Sequence, residues 1–422
     1  MAVIHACRMP ASRTTVPHPV IWMVLQLPFG AVTGFVTVAL TFLATKHGLS
    51  ITEAALLPAA SLLSQWLKWI WAPTVDVTLT PRKWYLIGTI TSAAGVVVMA
   101  ITPMTPSTLP LLIAVVASVS LLRSFVAMSL EAMIPAVTPA HDQARVSAWF
   151  NVGNLGGTGL GGGLGLTLLT YMAEPWMAGA ILAAAILLCS LALLAVPPIP
   201  SHRVPGGPLA ATRGVFRDIW RLAKTKGGLL VTVLCFVPIG TGAGLSVLAQ
   251  GEVAGQWGAS ADTVAWVAGY LGAIVTSIGC FLGGWLCKRF HPRTAYALSG
   301  ILLAAAGALF ALGPMTESVY VVGSFLYTLF VGVSYASWTA AVLHSIGPTS
   351  AATKYSIYAS LANFPIWWMG LLTGVLTDEL GPINMLLIEA AIGVAAAALF
   401  LLFARWVQST KLPDEIPEAR AD

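Results

Sequence analysis

The sequence predicts an all-α integral membrane protein of twelve transmembrane helices, arranged as two pseudo-symmetric six-helix halves. Three observations carry this reading. First, 57% of the 422 residues are hydrophobic and only 9% are charged. A soluble domain carries roughly 25% charged residues, so this chain lacks the charge to cover a water-facing surface. Second, apolar runs long enough to span a bilayer recur from end to end. Third, the main interruption falls near the middle, where Pro197-Pro-Ile-Pro-Ser-His-Arg-Val-Pro-Gly-Gly-Pro208 is followed by Arg213, Arg217, Arg221, Lys224 and Lys226. Its prolines and glycines argue against a buried element.

A helical span needs about 20 apolar residues at 1.5 Å rise each. By that rule the first half places spans near 20–45, 51–72, 84–104, 109–131, 144–171 and 176–196. The second half places them near 228–250, 261–286, 294–314, 318–343, 353–377 and 382–405. Helices are required because each segment must satisfy its own backbone polar groups. The chain then divides into an N-terminal segment 1–19, a first half 20–196, a linker 197–227, a second half 228–405 and a tail 406–422. Residues 1–19 carry Arg8 and Arg13 but no apolar core. The expectation is therefore no cleavable signal peptide, with the first span acting as the insertion signal.

Orientation follows from lysine and arginine in the loops. With the N-terminus inside, eighteen fall on the cytoplasmic side and only Lys46 on the opposite side. Both termini are expected in the cytoplasm, in a bacterial inner membrane. The net charge of +5 reflects this asymmetry and is no sign of nucleic-acid binding. The five cysteines are scattered, with no CxxC and no cysteine–histidine cluster, so no metal site is indicated. No Walker motif is present. No cofactor is expected, and a multi-pass transferase would need clustered carboxylates or histidines that the sequence does not offer.

The halves echo each other. Pro81-Arg82 stands five residues after Asp76, and Pro292-Arg293 stands five after Cys287, each just past the second span of its half. Gly283-Gly-Trp-Leu-Cys-Lys-Arg-Phe-His-Pro-Arg293 resembles the loop signature of the major facilitator superfamily, whose plan is two duplicated six-helix halves. Lys68-Trp-Ile-Trp-Ala-Pro-Thr-Val-Asp76, with Asn151-Val-Gly-Asn154 and the glycines after it, is similar to the muropeptide permease (AmpG) and acetyl-CoA transporter branch. That branch carries Gln-Asp-x-x-x-Asp-Ala in span four, where only Glu131-Ala132 corresponds here. Some bacterial ferric-siderophore permeases also resemble the branch. The resemblance implies a secondary transporter, not an enzyme, that rocks one half against the other around a central site. The expected solute is anionic or amphiphilic, a muropeptide or alternatively a ferric siderophore, with protons as coupling ion. A monomer is expected. A drug or metabolite exporter of the same fold would carry a proline in span five, and residues 153–165 have none.

Arg123 is the plainest candidate for solute binding. It lies fourteen residues into span four, about 20 Å along a helix, and an arginine stays protonated there. It needs an anionic solute, carbonyls, or a fixed carboxylate such as Glu131 or an acid of another helix. Gln26, Gln65, Asn151 and Asn154 are the polar candidates of the first half. Tyr335, Trp338, Tyr358, Asn363 and Trp367 are those of the second, where rings at mid-depth could stack on a solute. Glu131 is a candidate for proton coupling or a gate, as are Asp76, Lys68, Arg82 and Arg293. Lys68 could equally snorkel to headgroups, and Glu389 could reach the outer headgroups. Gly153, Gly157, Gly161 and Gly165 recur every four residues. Such spacing lets helices pack closely, and a rocking transporter needs a smooth contact of this kind.

Overall fold

The computed structural model describes residues 17–71, 75, 78–139, 142–198, 213, 217, 220–221, 223–346 and 357–410. Asp76 lies outside the described residues. The first half contains α1 (Pro19–Lys46), α2 (Ile51–Leu67), α3 (Pro81–Ile101), α4 (Leu109–Val137), α5 (Gln143–Tyr171) and α6 (Pro175–Ala195). Each start has a local cause. Ser50 and Glu53 form a capping box at α2, with Glu53 N–H donating to Ser50 Oγ at 3.1 Å and Ser50 N–H to Glu53 Oε2 at 2.8 Å. The helices α1, α3 and α6 begin on a proline, whose missing N–H costs nothing there.

In the second half, α7 is broken into Lys226–Leu234, Gly244–Leu248 and Gly251–Gln256. Then follow α8 (Ala261–Arg289), α9 (Pro292–Leu312) and α10 (Glu317–Ile346). The helix Asn363–Ser409 turns back on itself at Gly381 (φ 82°, ψ 164°); we call the part before Gly381 α11 and the part after it α12. Among the described residues, eight helices are long and apolar enough to cross a membrane, the last containing both α11 and α12. Three expected spans differ from this pattern. The α2 helix is only 17 residues before a 3-10 turn at Lys68–Ile70, α5 is diluted by glycine, and the expected continuous span 228–250 is interrupted. Gly240 (φ 62°) and Gly242 (φ 63°) hold that interruption open in a conformation only glycine adopts freely.

The internal echo extends beyond Pro-Arg. The tyrosine three residues after each arginine plays the same part in both halves. Tyr85 on α3 donates to Leu25 O on α1 at 2.9 Å, and Tyr296 on α9 donates to Ile239 O in the α7 break at 2.7 Å. Both are buried, so each bond satisfies a hydroxyl that would otherwise be costly inside a bilayer.

The glycines of α5 separate into two sets. Gly153, Gly157 and Gly161 face α1, where an added Cβ would lie 2.3 Å from Met23 O, 2.5 Å from Leu27 O and 2.0 Å from Ala31 O; at Gly165 it would meet the Phe35 ring. That stripe packs within the first half, and the sequence-based assignment of it to the rocking contact is corrected. The contact between halves uses the other set: a Cβ on Gly159 would meet Gly269 O at 2.8 Å, and one on Gly269 would meet Gly163 Cα at 2.5 Å.

The halves are tied together at the end away from the linker. Asp378 on α11 accepts Ile51 N–H at 3.0 Å and Thr52 N–H at 2.6 Å, capping the first turn of α2 across the interface. Gln250 Nε2 donates to Ile51 O at 3.3 Å, Glu252 N–H to Thr45 Oγ1 at 3.2 Å, and Tyr171 Oη to Asp262 Oδ2 at 2.6 Å.

Candidate functional site

Between the halves lies a cavity of about 950 Å³. One wall comes from α1, α2, α4 and α5, the other from the α7 break, α8, α10 and α11. It runs out on the linker side to Glu131 and Asn151, which are exposed. Its charged side chains are Arg123, Lys68 and Glu131.

Arg123 is 1% exposed. Its Nη1 donates to Phe29 O at 2.9 Å and to Thr33 Oγ1, and its Nη2 donates to Ser61 Oγ at 3.3 Å. The guanidinium lies over the Phe29 ring, 4.3 Å from its centroid, a contact worth ~0.5–2 kcal/mol. Its Nε is buried without a partner. The Glu131 pairing that sequence spacing allowed does not form, because Glu131 Oε1 instead meets Lys68 Nζ at 3.2 Å. Among the described residues no carboxylate pairs with Arg123. The fork is held by a carbonyl, two hydroxyls and a π face, and among the described residues no anion offsets its charge at the cavity wall.

Gln26, Gln65, Asn151, Asn154, Tyr335, Asn363 and Trp367 all line the cavity. Gln26 is 1% exposed, and its Oε1 has no partner among the described residues. Asn363 Nδ2 turns back to Ala359 O at 3.0 Å, while Trp367 packs on Trp66 across the halves, with ring centroids 6.0 Å apart. Two expected members are corrected: Trp338 and Tyr358 are not in the wall but in the core of the second half, with Leu230, Leu234 and Phe400. Tyr358 Oη points to Thr232 Oγ1 at 3.4 Å and Gly228 O at 3.5 Å. Tryptophan and tyrosine fill apolar volume well, and their positions on the helices put these two behind the wall.

Lys68 and Glu131 sit together at the linker-side mouth, whereas Arg82 and Arg293 stand outside the cavity. Arg82 Nη2 binds Leu193 O at 2.6 Å and Val196 O at 2.7 Å, capping the end of α6. Arg293 is half-buried at the start of α9. Glu389, expected near the outer headgroups, is 8% exposed inside the second half. The structure also adds Phe29, Thr33, Thr37 and Trp69 to the wall. A signal existed for the threonines: Thr33, Thr37, Thr41 and Thr45 recur every four residues along α1. Thr33, Thr37 and Thr41 each donate to the carbonyl four residues earlier, at 3.0, 2.9 and 2.8 Å.

Two helical halves around one deep cavity, closed at one end and open at the other, make a membrane transporter rather than an enzyme. The chain belongs to the Major Facilitator Superfamily, whose family model matches residues 22–368. Among solved structures, a mutant of the nucleoside transporter NupG is similar at 15% identity and TM-score 0.65, over 91% of this chain and 99% of that one. The D-xylose–proton symporter is similar at 15% identity and TM-score 0.69, over 90% and 96%. The peptide transporter POT in complex with sulfate is similar at 12% identity and TM-score 0.69, over 93% and 95%. At these identities the likeness establishes the fold. No curated protein matches the sequence.

Proposed function

We propose that this chain is a proton-driven importer of an anionic, amphiphilic solute, working by alternating access in a bacterial inner membrane with both termini in the cytoplasm. The observation that carries the reading is Arg123, a buried cation at the cavity wall with no carboxylate against it among the described residues. Two cationic groups face one carboxylate along the lining, which favours a negative solute. The volume stands near the top of the range of ~300–1,000 Å³ for small-molecule pockets, which suits a solute larger than a single sugar. Phe29, Trp69, Tyr335 and Trp367 offer ring faces beside the polar groups of Gln26, Gln65, Asn154 and Asn363. A muropeptide fits this description. A ferric siderophore is the second reading, favoured by the aromatic wall and by the small number of acids in it.

The test is uptake into intact cells of labelled anhydro-muropeptide against labelled ferric siderophores, with and without an uncoupler. Muropeptide uptake that stops with the uncoupler supports the first reading, and siderophore uptake moves the protein to iron acquisition. Entry of neither removes both solutes.

The Lys68–Glu131 pair fits a gate at the mouth. The two side chains are 13% and 38% exposed, so neutralising Lys68 should change stability by less than about 1 kcal/mol. Uptake should respond differently: reversing either charge lowers it, and exchanging the two (Lys68→Glu with Glu131→Lys) restores it. Failure of the exchanged pair to recover would show that the residues act separately.

A further inference from the structure

The main cavity makes no use of Glu389, the most buried carboxylate among the described residues of the second half. Glu389 lies on α12, eight residues beyond Gly381. Its Oε2 accepts from the Tyr327 hydroxyl of α10 at 2.7 Å, and its Oε1 accepts Gly244 N–H of α7 at 3.3 Å. The approach to Gly244 is close enough that a Cβ there would stand 2.6 Å from Oε2. Beside the carboxylate is a void of about 20 Å³, lined by Pro238, Gly240 and Thr241 of α7 and by Gly300, Leu303 and Gly307 of α9. A void of ~10–15 Å³ is enough for one water.

An ionisable group in such a place is costly unless something compensates it. No lysine, arginine or histidine lines the void, and among the described residues no ion pair includes Glu389. The titratable group that faces it from α10 is Tyr327. The α9 wall is glycine, alanine and leucine, the α7 wall holds no titratable residue, and the neighbours on α12 itself are Leu386, Ala390 and Gly393. Donors from Tyr327, Gly244, Ala243 and Thr241 reach the carboxylate, but none carries a charge, and among the described residues a mobile cation is left as the means of neutralisation. The surroundings favour a proton over a metal ion, because both oxygens already receive N–H or O–H donors whose positive ends would repel a metal.

The α7 break lies between this void and the main cavity. Residues 238, 240 and 241 line the void, while 242, 243, 245 and 246 line the cavity. The bond from Gly244 N–H is made to the charged carboxylate, and hydrogen bonds to charged groups are roughly twice as strong as neutral ones. Protonation forms one O–H bond on Glu389, takes its proton from water and moves no electrons. It weakens the tether on Gly244 at a break that glycine already keeps adaptable, and the segment released is the wall that a solute meets.

We propose that Glu389 is the coupling-proton site of this transporter, and that the α7 break passes its charge state to the solute cavity. The proposal rests on the transporter reading, so its test has one arm that needs no solute. Infrared spectra of the full-length protein in proteoliposomes, titrated with pH, should show a carboxylic-acid carbonyl band that is absent in Glu389→Gln. The band should keep its amplitude but change its midpoint in Tyr327→Phe, a variant that leaves the carboxyl in place. An unaltered titrating band in Glu389→Gln overturns the proposal, and so does a band whose midpoint moves with sodium at fixed pH, which would make this a sodium site. In the second arm, with whichever of anhydro-muropeptide or ferric siderophore the wild type takes up, Glu389→Gln should lower gradient-driven accumulation by roughly 10- to 100-fold. Counterflow of the same solute should stay near the wild-type rate. Accumulation equal to wild type overturns the coupling role. If the wild type carries neither solute, the solute reading fails, while the infrared arm still decides the proton site.

Discussion

Arg123→Ala is expected to abolish uptake while the protein still inserts and purifies in folded form. Among the described residues the guanidinium is the one fully buried cation that lines the cavity, and truncating one member of a buried charge pair costs about 2–5 kcal/mol, or roughly 30- to 4,000-fold in affinity. The loss should appear as solute binding and transport together, as the proposed contact with the solute requires. Arg123→Lys separates charge from shape. A lysine keeps the charge but cannot bridge Phe29 O, Thr33 Oγ1 and Ser61 Oγ with one planar fork, so partial activity is expected. Uptake by Arg123→Ala at the wild-type rate, measured at equal membrane abundance, would take Arg123 out of the solute site.

Two alanine substitutions five residues apart on α5 should change stability in opposite directions. In Gly161→Ala the new methyl group would stand 2.0 Å from Ala31 O and 2.4 Å from Ala31 Cα, both backbone atoms that cannot turn aside. Overpacking of this kind costs typically ~1–3 kcal/mol and occasionally more. With backbone as the obstacle, a loss at or above the top of that range is expected, and with it a melting transition well below wild type in detergent. Gly156→Ala meets nothing within 4 Å, and replacing a helical glycine by alanine gains ~0.8–1.0 kcal/mol of helix propensity. It should melt at or slightly above wild type. If both variants melt alike, the close approach of α1 and α5 is not the main seam of the first half.

The helical architecture was legible because bilayer solubility leaves so few choices. Long apolar runs can only be helices, and Pro81-Arg82 and Pro292-Arg293 mark where α3 and α9 begin. Arg123 was legible for a related reason, since a charge that cannot be discarded stands out against an apolar run. Sequence could not tell wall from core among the aromatics. Tyr335 and Trp338 are three residues apart on α10, and Tyr358 stands nine residues before Trp367 of α11. Which of each pair faces the cavity depends on helix rotation, and tryptophan suits either side. The α7 break was hidden because Val237-Pro-Ile-Gly-Thr-Gly-Ala-Gly244 is almost as apolar as a helix, and only the left-handed glycines reveal it. Glu389 was misjudged because depth was counted along a straight helix from its outer end, which says nothing of the partners, Tyr327 and Gly244, that other helices bring to it.

The two glycine faces of α5 bear on the speed of the transport cycle. The face against α1 interlocks backbone with backbone and should travel as a solid body. The face against α8 sets Gly159 and Gly163 on Gly269, which leaves the Ala273 methyl beside Gly159 and the Tyr270 ring beside Gly163 as the few side chains to pass when one surface slides over the other. Friction at mid-depth is therefore expected to be low. The slow event in each turnover then shifts to the end of the molecule, where Asp378 must release the two amides of Ile51 and Thr52 before water can replace it.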